Sequence, residues 1–433
     1  MERFMTFREH KDGLLSLSPI VVLLAVYLGA SLFIGDFYAV PISVVFVVAV
    51  VYALMLLRGH TFNERISVFS QGAANPDIMY MLWIFCLAGI FASVAKAMGA
   101  VDATVNLTLS IVPSRYIFGG LFIASCFVSM AIGTAVGTIV ALIPVTIAIA
   151  EQIGCDVATL SATVVGGAFF GDNLSFISDT TIAATQTQGC RMREKFLTNA
   201  RIVFPAAILV LLIYIYGSQT VADTIHSISV EWYRALPYLL VILLALCGVN
   251  VLVVLLCGIV FAVVMGLAGG MFNFAAMFAA AGEGLQQMTD LILVTLLAGG
   301  LMNIVKESGG FIYLTQLLTS RIKSSRGAEI VIVLLTALTN LCTANNTIAI
   351  LTCGSITRDL SSRYGILPRR AASLMDTASC CTQGVIPYGA QLLMAAGLAS
   401  ISPLEIIPHL YYPMAVGTLL MLSVIFSPRN RVV

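Results

Sequence analysis

Apolar runs of about 20 residues recur near 15–35, 38–57, 77–95, 202–217 and 409–427, each long enough to cross the hydrocarbon layer. No two-residue alternation of the barrel kind accompanies them, so the pattern predicts helices. One apolar region is broken in mid-span by Gly171 to Thr181, GDNLSFISDTT, which sets Asp172 and Asp179 among hydroxyl and amide groups. Helix-like sequence lies on both sides of it, so an interrupted span is predicted, with Gly166, Gly167 and Gly171 easing the break. A carboxylate carried into the bilayer costs about 2.5–3.5 kcal/mol on insertion scales, so this segment must face a cavity, an ion or a partner.

The pattern also repeats. LAGIFASVAKAMGA from Leu87 returns about 210 residues later as LAGGLMNIVKESGG from Leu297, aligning Lys96 with Lys306 and Gly99 with Gly309. IGTAVGTIVALIP from Ile132 is matched by LCTANNTIAILTC from Leu341, and the span at 202–217 by that at 409–427. Two halves of one membrane domain are predicted, 1–217 and 218–433, joined near 218–235. In the second half SLMDTASCCTQGVIPYGAQLL is the interrupted helix, with Gly384, Pro387 and Gly389 as breakers and Asp376 as its carboxylate.

Charge gives the halves opposite directions, because short cytoplasmic loops favour Lys and Arg. Glu151 and Asp156 follow GTAVGT, whereas Arg358, Arg363, Arg369 and Arg370 follow TANNT; Arg191, Arg193 and Lys195 correspond to a connection whose only charge is Glu405. The stretch 329–357, bounded by Arg326 and Arg358, has arms of about 14 residues, roughly 21 Å each, too short to span. It is predicted to be a re-entrant hairpin with TANNT at its tip. By symmetry 116–150 forms another with GTAVGT at its tip, with Arg115 against the charge rule. The expectation is an all-α polytopic membrane protein of two inverted-topology repeats, each with about five spans, a re-entrant hairpin and an interrupted helix. Both termini, including Arg429 and Arg431, are placed on the cytoplasmic side of a bacterial inner membrane.

Composition agrees: 59% of residues are apolar and 10% charged. The basic residues are scattered through loops, so no nucleic-acid partner is implied. The N-terminal MERFMTFREHKDG precedes a long apolar run without an A-x-A-like cleavage site, so the first span is expected to stay. Ten Cys show no metal or redox spacing and read as packing residues. His10, His60, His226 and His409 fall near span ends, leaving carboxylates as the expected proton carriers.

Broken helices expose unpaired backbone groups and helix-end partial charges, which together with side-chain oxygens replace the hydration shell of a hard cation. The candidate ligands are Asp172, Asn173, Ser175, Ser178, Asp179, Thr180 and Thr181 at the first break. Thr134, Thr138, Thr343, Asn345, Asn346 and Thr347 are candidates at the hairpin tips, and Asp376, Thr377, Gln383 and Tyr388 at the second break. The bland alternative for Thr and Asn is interhelical hydrogen bonding. For the carboxylates it is a buried basic partner, but neither interrupted segment contains one. The nearest candidates, Lys96 and Lys306, sit near span ends, where they are expected to snorkel.

At these residues the chain resembles the NhaC family of Na+/H+ antiporters. GTAVGT is similar to the family's GTSWGT-type motif. GDNLSFISDTT resembles its GD-x-x-SP-x-SDTT signature, with Phe176 in place of Pro. Asp376 with VIPYGAQ resembles a pattern ending in LIPWN, with Tyr388 and Gly389 in place of Trp and Asn. The resemblance implies antiport by alternating access. Na+ and H+ would compete at Asp172 and Asp179, with Asp376 completing the Na+ site and no cofactor beyond the transported ions. The family also includes carriers that couple Na+ or H+ to organic acids. The alternative is therefore a Na+- or H+-coupled carrier of a small organic anion or amino acid, its carboxylate held by the hairpin tips. The expected partners are the lipid bilayer, the two ions, a small carboxylate under the alternative, and a second copy of the chain, since related folds often dimerise. Interrupted helices favour a carrier over a channel, and no nucleophile, metal cluster or nucleotide loop suggests an enzyme.

Overall fold

The computed structural model describes residues 7–34, 40–57, 59–111, 113, 116–176, 178–217, 231–320 and 322–426, and every regular element among them is helical. Arg115, His226, Arg429, Arg431 and most of the joining segment lie outside the described residues. Among the described residues seven helices are long and apolar enough to cross a bilayer, eight if one bent pair counts as a span, and shorter apolar helices such as Ile42–Leu56 and Tyr411–Ile425 accompany them. Phe127, Ile208, Leu243 and Val260 are each more than half exposed, the kind of surface that lipid covers. The chain is a multi-pass membrane protein.

The backbone repeats with the offset read from the sequence. Four pairs of left-handed residues lie 211 apart, Gly59 with Gly270, Gly133 with Ala344, Gly154 with Gly365, and Gly189 with Ser400, and Gly99 and Gly309 lie 210 apart. Side chains rarely adopt this conformation, so Ala344 (φ 49°) and Ser400 (φ 55°) standing opposite glycines show that the fold, not local preference, fixes these corners.

The first hairpin consists of Ile117–Ile132 and Ala135–Ile153, the second of Ser325–Thr343 and Asn346–Tyr364. Their corners are built alike. A left-handed residue, Gly133 or Ala344, closes one arm, and an extended one, Thr134 (φ −145°) or Asn345 (φ −143°), opens the next. The arms of the second hairpin run antiparallel: Cys353 Sγ lies 3.1 Å from Thr339 Oγ1, and Tyr364 donates to the Ile322 carbonyl at 3.1 Å. Each of these arms has 19 residues, about 28 Å at 1.5 Å per residue, so the expectation of short arms is corrected. Length alone does not separate a re-entrant arm from a spanning one here. What marks the corners is that they abut the breaks of the interrupted helices.

Those breaks fall where predicted. The first broken helix is Val157–Leu174 and Asp179–Gln188; the second is Pro368–Gln383 and Ala390–Ala399. Ser175 donates to the Met130 carbonyl at 2.9 Å, and Tyr388 to the Leu341 carbonyl at 2.7 Å, so equivalent corners are pinned to equivalent breaks. The first broken helix begins at Asp156, 3.8 Å from His409, just beyond the end of the second. It ends with Gln188 Nε2 2.9 Å from the Gly354 carbonyl and 3.4 Å from Met375 Sδ, on the entry side of the second. The two therefore run antiparallel.

The glycines before the first break have a different task from the one expected. A Cβ at Gly167 would lie 2.5 Å from Ser125 Cβ, and one at Gly171 2.3 Å from Ser129 Cβ. They allow Val157–Leu174 to lie against Ile117–Ile132 almost backbone to backbone, and Ser129 Oγ donates to the Ala168 carbonyl across that contact at 2.5 Å. Gly166 instead faces Tyr412. The break itself is made by extended Ser175 and Ser178.

Candidate functional site

Four corners converge: two hairpin tips and two helix breaks. Between them lies a cavity of about 170 Å³ whose polar lining is Asp172, Asp179 and Thr180 from the first break, Thr134 from one tip, Asn345, Asn346 and Thr347 from the other, Gln391 from the second broken helix, and Tyr80. Asp172 is 5% exposed and its carboxylate is held by neutral donors, Ser178 Oγ at 2.6 Å and Asn346 Nδ2 at 3.1 Å. Ser178 also meets Thr180 Oγ1 at 2.9 Å. Asp179 is exposed at the first turn of the shorter half-helix.

Behind Asp172 the polar network continues away from the cavity. Lys195 forms an ion pair with Asp376 Oδ2, and the two side chains are 1% and 0% exposed. Its ammonium also donates to the Asn173 carbonyl at 2.8 Å and Thr181 Oγ1 at 2.7 Å. Asn199 Nδ2 reaches Asp376 Oδ2 at 2.8 Å and bridges to Asn173 Oδ1. Asp376 Oδ1, Thr377 Oγ1 and Asn173 Nδ2 have no hydrogen-bond partner among the described residues.

The buried basic partner is thus Lys195, expected from the sequence in a loop with Arg191 and Arg193, and not Lys96 or Lys306. In fact Lys195 lies in the first turn of Met192–Gly217, on the buried stripe that continues through Asn199, Ile202, Ala206 and Val210. That 3.6-residue periodicity was the available signal. Lys306 is exposed and lines a separate cavity of about 150 Å³.

The remaining candidates occupy supporting positions. Thr138 is buried and donates to the Thr134 carbonyl at 3.1 Å; Ser175 braces the first break as described. Thr343 and Tyr388 line the neighbouring cavity, which Asn345 and Met81 share with the first. Gln383 spans 2.9 Å to both Gln391 Oε1 and the Ala344 carbonyl, fixing the second tip.

The description Na+/H+ antiporter family matches residues 6–221 and 221–427. The chain belongs to this family. An uncharacterized Na+/H+ antiporter of Haemophilus influenzae is 21% identical over 90% of this chain and 91% of its own length. The malate-2H+/Na+-lactate antiporter of Bacillus subtilis is 19% identical, covering 92% of each chain. The Na+/H+ antiporter NhaC of the same organism is 24% identical over 76% of this chain and 80% of its own. This agrees with the NhaC-type motifs, and within this antiporter-family chain those motifs supply most of the cavity's polar wall.

Proposed function

We propose that the protein exchanges Na+ for H+ across the membrane by alternating access, with the two ions competing at Asp172 and Asp179. The observation that carries this reading is Asp172: a carboxylate buried in a membrane-spanning helix, bonded to neutral donors and opening onto a polar cavity. Such a group needs a cation or a proton. Competition requires only that either ion can neutralise it, and alternation then exchanges one for the other. Asp376 is proposed to join the Na+ ligands when Lys195 releases it; in the arrangement described its Oδ2 is occupied by Lys195 and Asn199. The antiparallel broken helices support an inverted repeat, in which the halves reach the site from opposite faces.

The test is Na+-driven pH change in proteoliposomes. Loss of exchange is expected for Asp172→Asn and a strong reduction for Asp179→Asn; undiminished exchange in both would sink the assignment. A second reading, a carrier of small organic acids, is favoured by the malate–lactate exchanger among the relatives. Counterflow of labelled malate and lactate separates the two: uptake driven by internal unlabelled acid, without which no Na+-driven pH change appears, would make the organic acid the cargo.

A further inference from the structure

A second polar cavity, of about 330 Å³, lies at the arginine-rich end of the molecule, where Met192–Gly217, the start of Ser325–Thr343, the start of Pro368–Gln383 and the end of Tyr411–Ile425 meet. Four arginines line it, Arg201, Arg326, Arg369 and Arg370, against one acid, Glu329. Glu329 is consumed locally: Arg370 Nη2 donates to its Oε2 at 3.0 Å and to Ser423 Oγ at 3.1 Å. Beside that pair the lining presents the guanidinium groups of Arg201 and Arg369, both on exposed residues.

Guanidinium groups match the oxygens of phosphate with paired N–H donors, and basic pockets between helices at the cytoplasmic end take anionic head groups. The cavity opens beside bare apolar surface on Met192–Gly217 and at the end of Tyr411–Ile425. Phe426, itself lining the cavity, is 76% exposed, Ile425 50%, Phe204 45% and Ile208 57%. A ligand with a phosphate and hydrocarbon chains fits this combination. We infer that the four-arginine cavity binds the phosphate of an anionic phospholipid from the adjoining leaflet.

The site bears on the ion pair. Arg201 stands six residues after Lys195 on one helix, and Arg370 six residues before Asp376 on another. A phosphate held between Arg201 and Arg369 braces the two helices that carry Lys195, Asn199 and Asp376. The inference is independent of which cargo the transporter carries.

The experiment compares thermal unfolding of the purified full chain in detergent with added phosphatidylglycerol, phosphatidylcholine or inorganic phosphate. Native mass spectrometry counts retained lipids. Phosphatidylglycerol is expected to raise Tm saturably and to remain bound, phosphatidylcholine to do neither, and KCl to weaken the effect. Arg201→Gln with Arg369→Gln, both exposed positions, should keep the lipid-free Tm and lose the phosphatidylglycerol increment. Equal shifts with the two lipids, or an undiminished increment in the double variant, would overturn the proposal. If inorganic phosphate alone reproduces the full shift, the lipid source is overturned and the ligand is a soluble phosphate. Because the lipid comparison uses the unaltered protein, poor folding of the variant does not leave the question open.

Discussion

Lys195 and Asp376, drawn from opposite halves of the chain, meet as an ion pair in which neither side chain is more than 1% exposed. Removing one member of such a pair leaves an uncompensated charge in the interior and costs about 3–5 kcal/mol. Lys195→Met should therefore lower Tm sharply, whereas Lys195→Met combined with Asp376→Leu should recover much of the loss. Thermal unfolding of the two single variants and the double gives the coupling; simple additivity would show that the pair is not a unit.

Asn346 Nδ2 donates to Asp172 Oδ2 at 3.1 Å, beside the bond from Ser178. A hydrogen bond to a charged group is worth about 1.5–3 kcal/mol, about tenfold or more in an equilibrium constant. If Asn346 positions the Na+-binding carboxylate, Asn346→Ala should raise the Na+ concentration for half-maximal exchange by about that factor while the protein still folds. Initial rates across a Na+ series provide the check, and an unchanged half-saturating concentration would remove Asn346 from the site.

Competition at one carboxylate fixes the sign of the pH dependence. A bound proton excludes Na+, so below the titration of the site the half-saturating Na+ concentration should rise about tenfold for each unit of falling pH, with the maximal rate at high Na+ preserved. Rate measurements over a grid of pH and Na+ test this. A maximal rate that falls with half-saturation unchanged would instead indicate separate ion sites.

Gly171 is a packing residue. A Cβ there would lie 2.5 Å from the Met130 backbone nitrogen as well as 2.3 Å from Ser129 Cβ, with no flexible side chain to yield. Overpacking of this kind costs about 1–3 kcal/mol, so Gly171→Ala should lower Tm and separate the hairpin from the broken helix. Gly154→Ala, in open space, should cost only the strain of its left-handed backbone. Equal Tm losses would contradict the packing role.

Asp156 caps the first broken helix, accepting from the Thr159 amide at 2.9 Å and its hydroxyl at 2.6 Å. Burial pushes its carboxyl upward, but the Thr159 bonds, the Ala158 amide and His409 outweigh this and hold it below the usual carboxylate value. The folded state binds the proton less readily than the unfolded chain, so the contribution is present above the unfolded pKa and fades as pH falls through the folded one. Asp156→Ala should cost about 1 kcal/mol near neutral pH, a typical cap value, with the difference from the parent shrinking in acid. Unfolding curves at several pH values would show it; a difference that grows in acid would reverse the sign.

Much of this arrangement was legible in the sequence, because its strongest signals are local. Unwound backbone in a membrane needs polar and breaking residues, so GDNLSFISDTT and VIPYGAQ announced both breaks, and duplicated motifs announced the offset. Lys195 was not legible from charge alone. RMREK reads as a basic loop until the helix register turns Lys195 and Asn199 inward while Arg191 and Arg193 stay exposed. The glycines before Asp172 mislead for a related reason: a glycine that permits helix contact looks the same in sequence as one that breaks a helix.

The 211-residue register also shows what the halves do not share. Lys195, Asn199 and Asp376 correspond to Ile406, Leu410 and Val165, all buried and apolar. A scaffold whose halves were chemically identical would make its two facing orientations energetic mirror images, with neither preferred at rest. An ion pair with its bridging Asn199 that has no repeat-related counterpart among the described residues removes that degeneracy. Under the exchange proposed, Lys195 and Asp376 give the transporter a handedness: a movement that parts them has a mirror-image counterpart with no equivalent bond to break.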